Sequence, residues 1–248
     1  MSDKTKISWT DATYNPWQGC NKVSAGCLNC YMHTAKKRYG QDPTKVVRSK
    51  AFTKPLSWRS PRKIFTCSWS DWFHKDADQW RDEAWNVIRQ CSRHTFQILT
   101  KRPERIASCL PKDWPLNNVW LGVTVENQDN LHRVALLQNI PARVRFLSME
   151  PLLGPVSLSP AVLKGIHQII VGGESGPHAR PMNPAWVLDI QAQCQKANVP
   201  FFFKQWGHIR NNPEKSDPTA KQNGGHANGG RMLCGQIWDQ TPNTSIVQ

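Results

Sequence analysis

Acidic residues are scarce in this chain. Its 248 residues hold 18 Asp and Glu against 32 Lys and Arg, a formal net charge of +14. That balance disfavours a cationic partner and suits a phosphate-bearing one. Long apolar runs are also missing: none approaches the roughly 18 residues that a membrane span needs. The opening stretch MSDKTKISWTDAT has no apolar segment resembling a signal peptide. A cytoplasmic protein with no membrane partner is therefore expected, in a setting where cysteines stay as thiols. Neither a Walker A loop nor a Rossmann G-x-G-x-x-G occurs, which removes nucleotide binding through those devices. Tyrosines number only 3, whereas tryptophans number 12, and most of these are expected in the core or in pocket linings.

Six short apolar runs are present: Ile64–Ser68, Phe96–Leu99, Val119–Val123, Val144–Leu147, Gln168–Val171 and Phe201–Lys204. Each is apolar on consecutive positions, as strands buried on both faces are. Their spacing of roughly 23 to 33 residues leaves room for a crossover helix between parallel neighbours. Trp80, Ala84, Val87, Ile88 and Cys91 recur on one helical face, as do Val187, Ile190, Cys194 and Ala197. Asn183 followed by Pro184 gives the second of these a cap and a first turn. A third helix is expected over Asn127–Gln138, with stunted ones near Glu104–Ala107 and Pro160–Lys164. A further strand within Lys6–Tyr14 completes six or seven βα units. The expected fold is α/β: a TIM-like parallel β/α barrel, partial or complete, over residues 1–209. A flexible polar loop (210–230) and a tail packing on the barrel (231–248) follow it.

In parallel barrels the functional face lies at the C-terminal ends of the strands. Just beyond these runs stand Ser70 and Asp71; Thr100, Lys101 and Arg102; Glu126 and Asn127; Glu150; Glu174 and Ser175; Lys204 and Gln205. A single carboxylate after a strand often only caps the next helix. One polar group from nearly every strand would instead ring one mouth. Gly172 and Gly173 before Glu174 allow close approach of the backbone to a ligand.

Three of the eight cysteines, Cys20, Cys27 and Cys30, fall in the segment NPWQGCNKVSAGCLNCYMH with spacing C-x6-C-x2-C. The segment follows the first expected strand, so it would sit at the same mouth. Three thiolates leave one iron of a [4Fe–4S] cluster open to an outside ligand. S-adenosylmethionine is the ligand that such a site suits, with Glu126, Glu150 and Glu174 as its neighbours. Its reductive cleavage is radical chemistry that belongs to the cofactor.

The segments WTDATYNPWQGCNKVSAGCLNCY, TKRPERI, VWLGVTVEN, RFLSMEPLLGP, VGGESGPHARPM and PFFFKQWG carry a resemblance over nearly the whole chain. The chain resembles the "three-Cys-motif" family of phage and bacterial proteins of uncharacterised function. More distantly it is similar to radical S-adenosylmethionine enzymes of the spore photoproduct lyase type. That resemblance implies an iron–sulfur enzyme acting on a nucleic acid or nucleotide, in DNA repair or modification, served by a reductant of the flavodoxin or ferredoxin type. The radical enzymes space their cysteines C-x3-C-x2-C and place an aromatic just before the last. Here Asn29 holds that place, and Tyr31 is the candidate substitute beside the cofactor. Cofactor contacts are thus expected from Tyr31, Ser70, Asp71, Glu126, Asn127, Glu150, Gly172, Gly173 and Glu174.

Two other chemistries fit parts of the pattern. His33 could complete a Cys3His zinc site with Cys20, Cys27 and Cys30, giving a zinc-stabilised nucleic-acid-binding protein. Alternatively, Glu126, Glu150 and Glu174 could do acid–base work in a barrel hydrolase or lyase, which leaves the thiols unexplained. Catalytic candidates are Cys67, as a hydrogen-atom donor, with Lys101 and Lys204. Cys91 and Cys194 read as core; Cys109 and Cys234 carry no assignment.

The basic excess is concentrated. Ten basic residues against the single acid Asp42 lie between Lys36 and Lys63. Lys36, Lys37, Arg38, Arg48, Lys50, Lys54, Arg59 and Arg62, with Arg102 at the mouth, are the expected nucleic-acid contacts, and Trp58 offers a stacking face.

Overall fold

The computed structural model describes residues 4–220 and 229–243. Parts of the expected polar loop (221–228) and tail (244–248) lie outside the described residues. The chain begins with β1 (Ala12–Tyr14) and a small antiparallel pair, β2 (Trp17–Gln18) and β3 (Val47–Arg48). There follow β4 (Lys63–Thr66), β5 (Thr95–Thr100), β6 (Val119–Thr124), β7 (Val144–Met149), β8 (Gln168–Gly172) and β9 (Phe201–Gln205). A hairpin of β10 (Met232–Leu233) and β11 (Gln236–Ile237) comes last.

Strands β1 and β4 to β9 form one seven-stranded sheet in the order β1-β4-β5-β6-β7-β8-β9, parallel throughout. The sheet curls with helices around it into an α/β, TIM-like partial barrel. Each apolar run read from the sequence falls on one of these strands, except that Ile64–Ser68 overruns β4 by Cys67 and Ser68, and the N-terminal strand is confined to Ala12–Tyr14. Every residue of β6 and β8 is buried, which is why they read as unbroken apolar runs rather than as alternation.

The helices are α1 (Tyr31–Arg38), α2 (Asp78–Gln90), α3 (Ile106–Cys109), α4 (His132–Gln138), α5 (Pro160–Leu163) and α6 (Pro184–Lys196). Asn183 Oδ1 accepts from the Ala185 N–H at 2.9 Å and caps α6 ahead of its first-turn proline. Ala84, Trp85, Val87 and Ile88 form the buried side of α2. The expected helix over Asn127–Gln138 is divided, with a 3-10 turn at Gln128–Asn130 before α4. α3 and α5 have four residues each.

Two apolar layers result. Between sheet and helices lies the main core, with Tyr14, Trp17, Trp72, Trp85 and Trp206 essentially inaccessible. Inside the curl, Trp9 packs with Trp120, Val144, Phe146, Ile170 and Phe202. The Trp9 ring centroid is 4.7 Å from that of Phe65 and 6.2 Å from that of Phe146. Trp120, Val144 and Phe202 stand near the starts of their strands, so this plug fills the N-terminal half of the concave face. The free edge of β9 is covered by the chain after β11: Phe203 N–H donates to the Trp238 carbonyl at 2.8 Å, and Phe202 bridges Asp239.

Candidate functional site

The cysteine segment leaves β2 at Gly19, forms a 3-10 turn at Ala25–Cys27, and runs into α1 with Cys30 as the residue before its first turn. Cys20, Cys27 and Cys30 are partly exposed thiols, and none of the eight cysteines is bridged. Burial, then the nearby Asp71, pushes the Cys20 thiol up to about 12, against the opposing hydrogen bond from Arg102.

Polar residues at the strand ends hold this loop. Glu126, fully buried just past β6, accepts from Ser24 Oγ at 2.6 Å. The same carboxylate pairs with Lys101 at 2.9 Å and Arg133 at 3.3 Å. Gly26 lies so close that a Cβ there would stand 2.4 Å from Glu126 Oε1; only glycine fits.

Glu174, past β8, accepts from Asn29 Nδ2 at 3.0 Å and from the Arg180 main-chain N–H and Nε at 2.9 and 2.8 Å. Burial opposes its charge, yet the Arg180 and Asn29 hydrogen bonds hold its carboxyl below the usual glutamate range. Arg180 also donates to the Ala25 carbonyl at 3.0 Å. From β5, Arg102 donates to the Asn21 carbonyl at 3.0 Å and lies 3.9 Å from the Cys20 sulfur. His74 Nδ1 accepts from the Asp76 N–H, so Nε2 carries the proton and donates to Asn21 Oδ1 at 2.8 Å. Ser70 Oγ donates to the Gly19 carbonyl at 2.6 Å.

The expected cofactor contacts therefore divide by what they touch. Asp71 spends its oxygens on Thr100 Oγ1 and the main-chain N–H groups of Phe73 and Lys101, tying the turn after β4 to the end of β5. Asn127 Nδ2 donates to Asp129 at 3.2 Å, directed along the following turn. Gly173 makes room for backbone: a Cβ there would be 2.4 Å from the Trp206 carbonyl oxygen. Gly172 faces Glu150, which pairs with Lys204 and takes a 3.4 Å contact from Ser148 Oγ. Tyr31 is about half exposed, while its hydroxyl donates to the Ser68 carbonyl. Burial of that end, then Cys30 and Glu150, push the phenol above its ordinary value. Cys67 is buried with φ at 59°, immediately past β4, and burial, then Asp71 and Cys20, push its thiol well up.

Ser24, Asn29, Asn21, His74 and Arg180 are anchors that sequence reading missed. Glycine at position 26 between two serviceable donors, and an arginine six residues after Glu174, were the available signals.

Among the basic residues, Lys37, Arg38, Lys50 and Arg59 are exposed. Lys36 is 3% exposed, because it follows the buried Met32 by one helical turn on the inward side of α1. Arg48 pairs with Glu83 at 2.5 Å and lies over the Phe52 ring. Arg62 lies over the Trp58 ring. Trp58 is buried in the core and so offers no open stacking face. Lys54 is half-buried at the 3-10 turn Lys54–Ser57.

Among the described residues, no group of three or more His, Cys, Asp or Glu side chains stands arranged to hold a metal ion, and no helix is long and apolar enough to cross a membrane. Burial lowers the His33 pKa, against an opposing contribution from the Cys20 main chain. No curated protein and no solved structure matches the chain. Residues 4–242 match the family described as Protein of unknown function (DUF5131), and the chain belongs to that family.

Proposed function

We propose that this protein is an iron–sulfur enzyme in which Cys20, Cys27 and Cys30 hold a [4Fe–4S] cluster and S-adenosylmethionine takes the open iron. The observation that carries this reading is the double anchorage of the loop. Ser24 on Glu126 and Asn29 on Glu174 bracket Cys27, and Arg102 lies 3.9 Å from the Cys20 sulfur, so the loop is tied to residues at the strands' C-terminal ends. The donor set is soft, unbridged and partly exposed, which suits iron–sulfur ligation. When bound, the cluster and S-adenosylmethionine together supply one-electron chemistry.

The chain's own residues position that chemistry. The Trp9–Phe146 plug keeps water from the N-terminal half of the concave face, and Glu126 and Glu174 fix the loop above it. The substrate class is a nucleic acid or nucleotide. Lys37 and Arg38 at the end of α1, Lys50 just after β3 and Arg59 after the 3-10 turn Lys54–Ser57 are exposed cations suited to phosphate contact.

Anaerobic purification followed by iron, sulfide and zinc analysis tests the reading. About four irons per chain, lost when Cys20, Cys27 or Cys30 is replaced by Ala, is the expected result. One zinc without iron supports a second reading, a Cys3His site.

A further inference from the structure

Of the 12 tryptophans, 8 phenylalanines and 3 tyrosines, only Tyr31 and Tyr39 are exposed. The two differ. Tyr31 donates its hydroxyl to the Ser68 carbonyl, and that end of the ring is buried. Tyr39 is 72% exposed, more than any other large apolar side chain, and it makes no side-chain hydrogen bond or ring contact among the described residues.

A single exposed ring is ordinary surface. Tyr39 stands apart because its backbone is fixed while its ring is bare. It is the C-cap of α1. Beyond it Gly40 has φ of 65°, its N–H donates to the Lys37 carbonyl at 3.0 Å, and the Gln41 N–H donates to the Lys36 carbonyl at 2.9 Å. Those two bonds are the Schellman closure of a helix, and glycine supplies the left-handed residue it needs. The ring therefore has little backbone freedom to lose when something lies on it.

Its surroundings are cationic. Lys37 and Arg38 precede it and Lys45 follows, all exposed. Asp42 is the one acid between Lys36 and Lys63, and its Oδ1 already accepts from the Thr44 N–H and hydroxyl at 2.8 and 2.7 Å. An anchored aromatic face among cations complements a strand that offers phosphates and unstacked bases together. A duplex answers the charges but not the ring, because its bases are stacked on one another. The helix that carries Tyr39 starts at the residue after Cys30, and its eight residues span about 12 Å.

We infer that Tyr39 is the stacking platform for an unpaired base of a single-stranded nucleic acid, with Lys37 and Arg38 on the flanking phosphates. The inference rests on the substrate class proposed above and narrows it to a single strand. It also provides the open face that Trp58, buried in the core, does not.

Fluorescence anisotropy on the full chain tests the platform. The probes are a labelled single-stranded oligodeoxyadenylate, the same strand with abasic sites in place of its bases, and a blunt duplex of equal length. On wild-type protein the abasic strand, which keeps every phosphate, is expected to bind at least about 5-fold more weakly than the intact one, the loss of one stacked base. Tyr39→Ala should weaken the intact strand by a similar factor, with duplex affinity, salt slope and melting temperature near wild type. Tyr39→Phe keeps the ring and should bind as wild type does. An abasic strand held as tightly as the intact one, or an intact strand held equally by wild type and Tyr39→Ala, overturns the platform and leaves phosphate-directed binding in place. Equal loss of single strand and duplex in Tyr39→Ala also overturns it, since stacking is open only to an unpaired base. Wild-type protein that binds neither strand nor duplex overturns the substrate class as well. The abasic comparison needs no variant, so a folding defect cannot mask the outcome.

Discussion

Ser24 and Glu126 are 102 positions apart in the chain and 2.6 Å apart in the fold. Through that contact a loop between β2 and α1 is tied to the end of β6, across the mouth of the half-barrel. The Glu126 carboxylate is inaccessible and neutralises Lys101 and Arg133. Removing it strands two cations, one of them buried. Glu126→Ala is therefore expected to cost about 3–5 kcal/mol of unfolding free energy. Ser24→Ala should cost about 1–3 kcal/mol, because it leaves one acceptor site unfilled. Urea unfolding of both variants checks the order. Equal, small effects would mean the loop does not depend on Glu126.

The space at Gly26 gives an independent test of the same docking. A methyl group there meets Glu126 Oε1 at 2.4 Å, and that oxygen cannot swing aside without losing Ser24 and Lys101. Gly26→Ala should lift the loop, which would appear as faster proteolysis within residues 19–30 and lower iron retention. Wild-type cleavage rates and iron content would show that the contact yields freely.

Acid should loosen the second anchor. Glu174 has a carboxyl pKa held below its ordinary value, because the hydrogen bonds from Arg180 and Asn29 outweigh the effect of burial. The unfolded chain takes up the proton first, near pH 4.3. The stabilisation is thus complete above that pH and is lost as the pH falls through the lower, folded value. Unfolding curves between pH 7 and pH 3 should show a steeper acid loss for wild type than for Glu174→Gln. Parallel curves would remove Glu174 from the account of loop docking.

The strands were legible because parallel strands covered on both faces must be apolar at consecutive positions, as β6 and β8 are. α6 was legible because Asn183 and Pro184 mark its start locally. The mouth was legible as a set of polar residues but not as a network. Nothing local connects Asn29 with Glu174, 145 positions later, or shows that Glu126 and Glu174, read as cofactor neighbours, also hydrogen-bond the cysteine loop. Lys36 illustrates a different shortfall. Its four-residue spacing from Met32 already placed it on the inward side of α1, a signal that counting charges passes over. Trp58 is similar: its neighbours are basic, but its ring lies beneath Arg62 in the core.

Surface charge sets how nucleic acid should bind. Replacing Lys37, Arg38, Lys50 and Arg59 together by Ala removes four exposed cations. If each meets a phosphate, the slope of log affinity against log salt should become shallower by roughly 3 units for single strands and slightly more for duplex. Fluorescence anisotropy with labelled oligonucleotides across a salt series measures this. An unchanged slope would place the contact surface elsewhere.

The cluster with its open iron is tested most directly by electron paramagnetic resonance on the anaerobically purified, dithionite-reduced protein, with and without S-adenosylmethionine. The expected result is a reduced [4Fe–4S] signal that changes shape when S-adenosylmethionine is added and is absent from the Cys27→Ala variant. A protein that carries zinc and gives no such signal, or a cluster signal indifferent to S-adenosylmethionine, would contradict it.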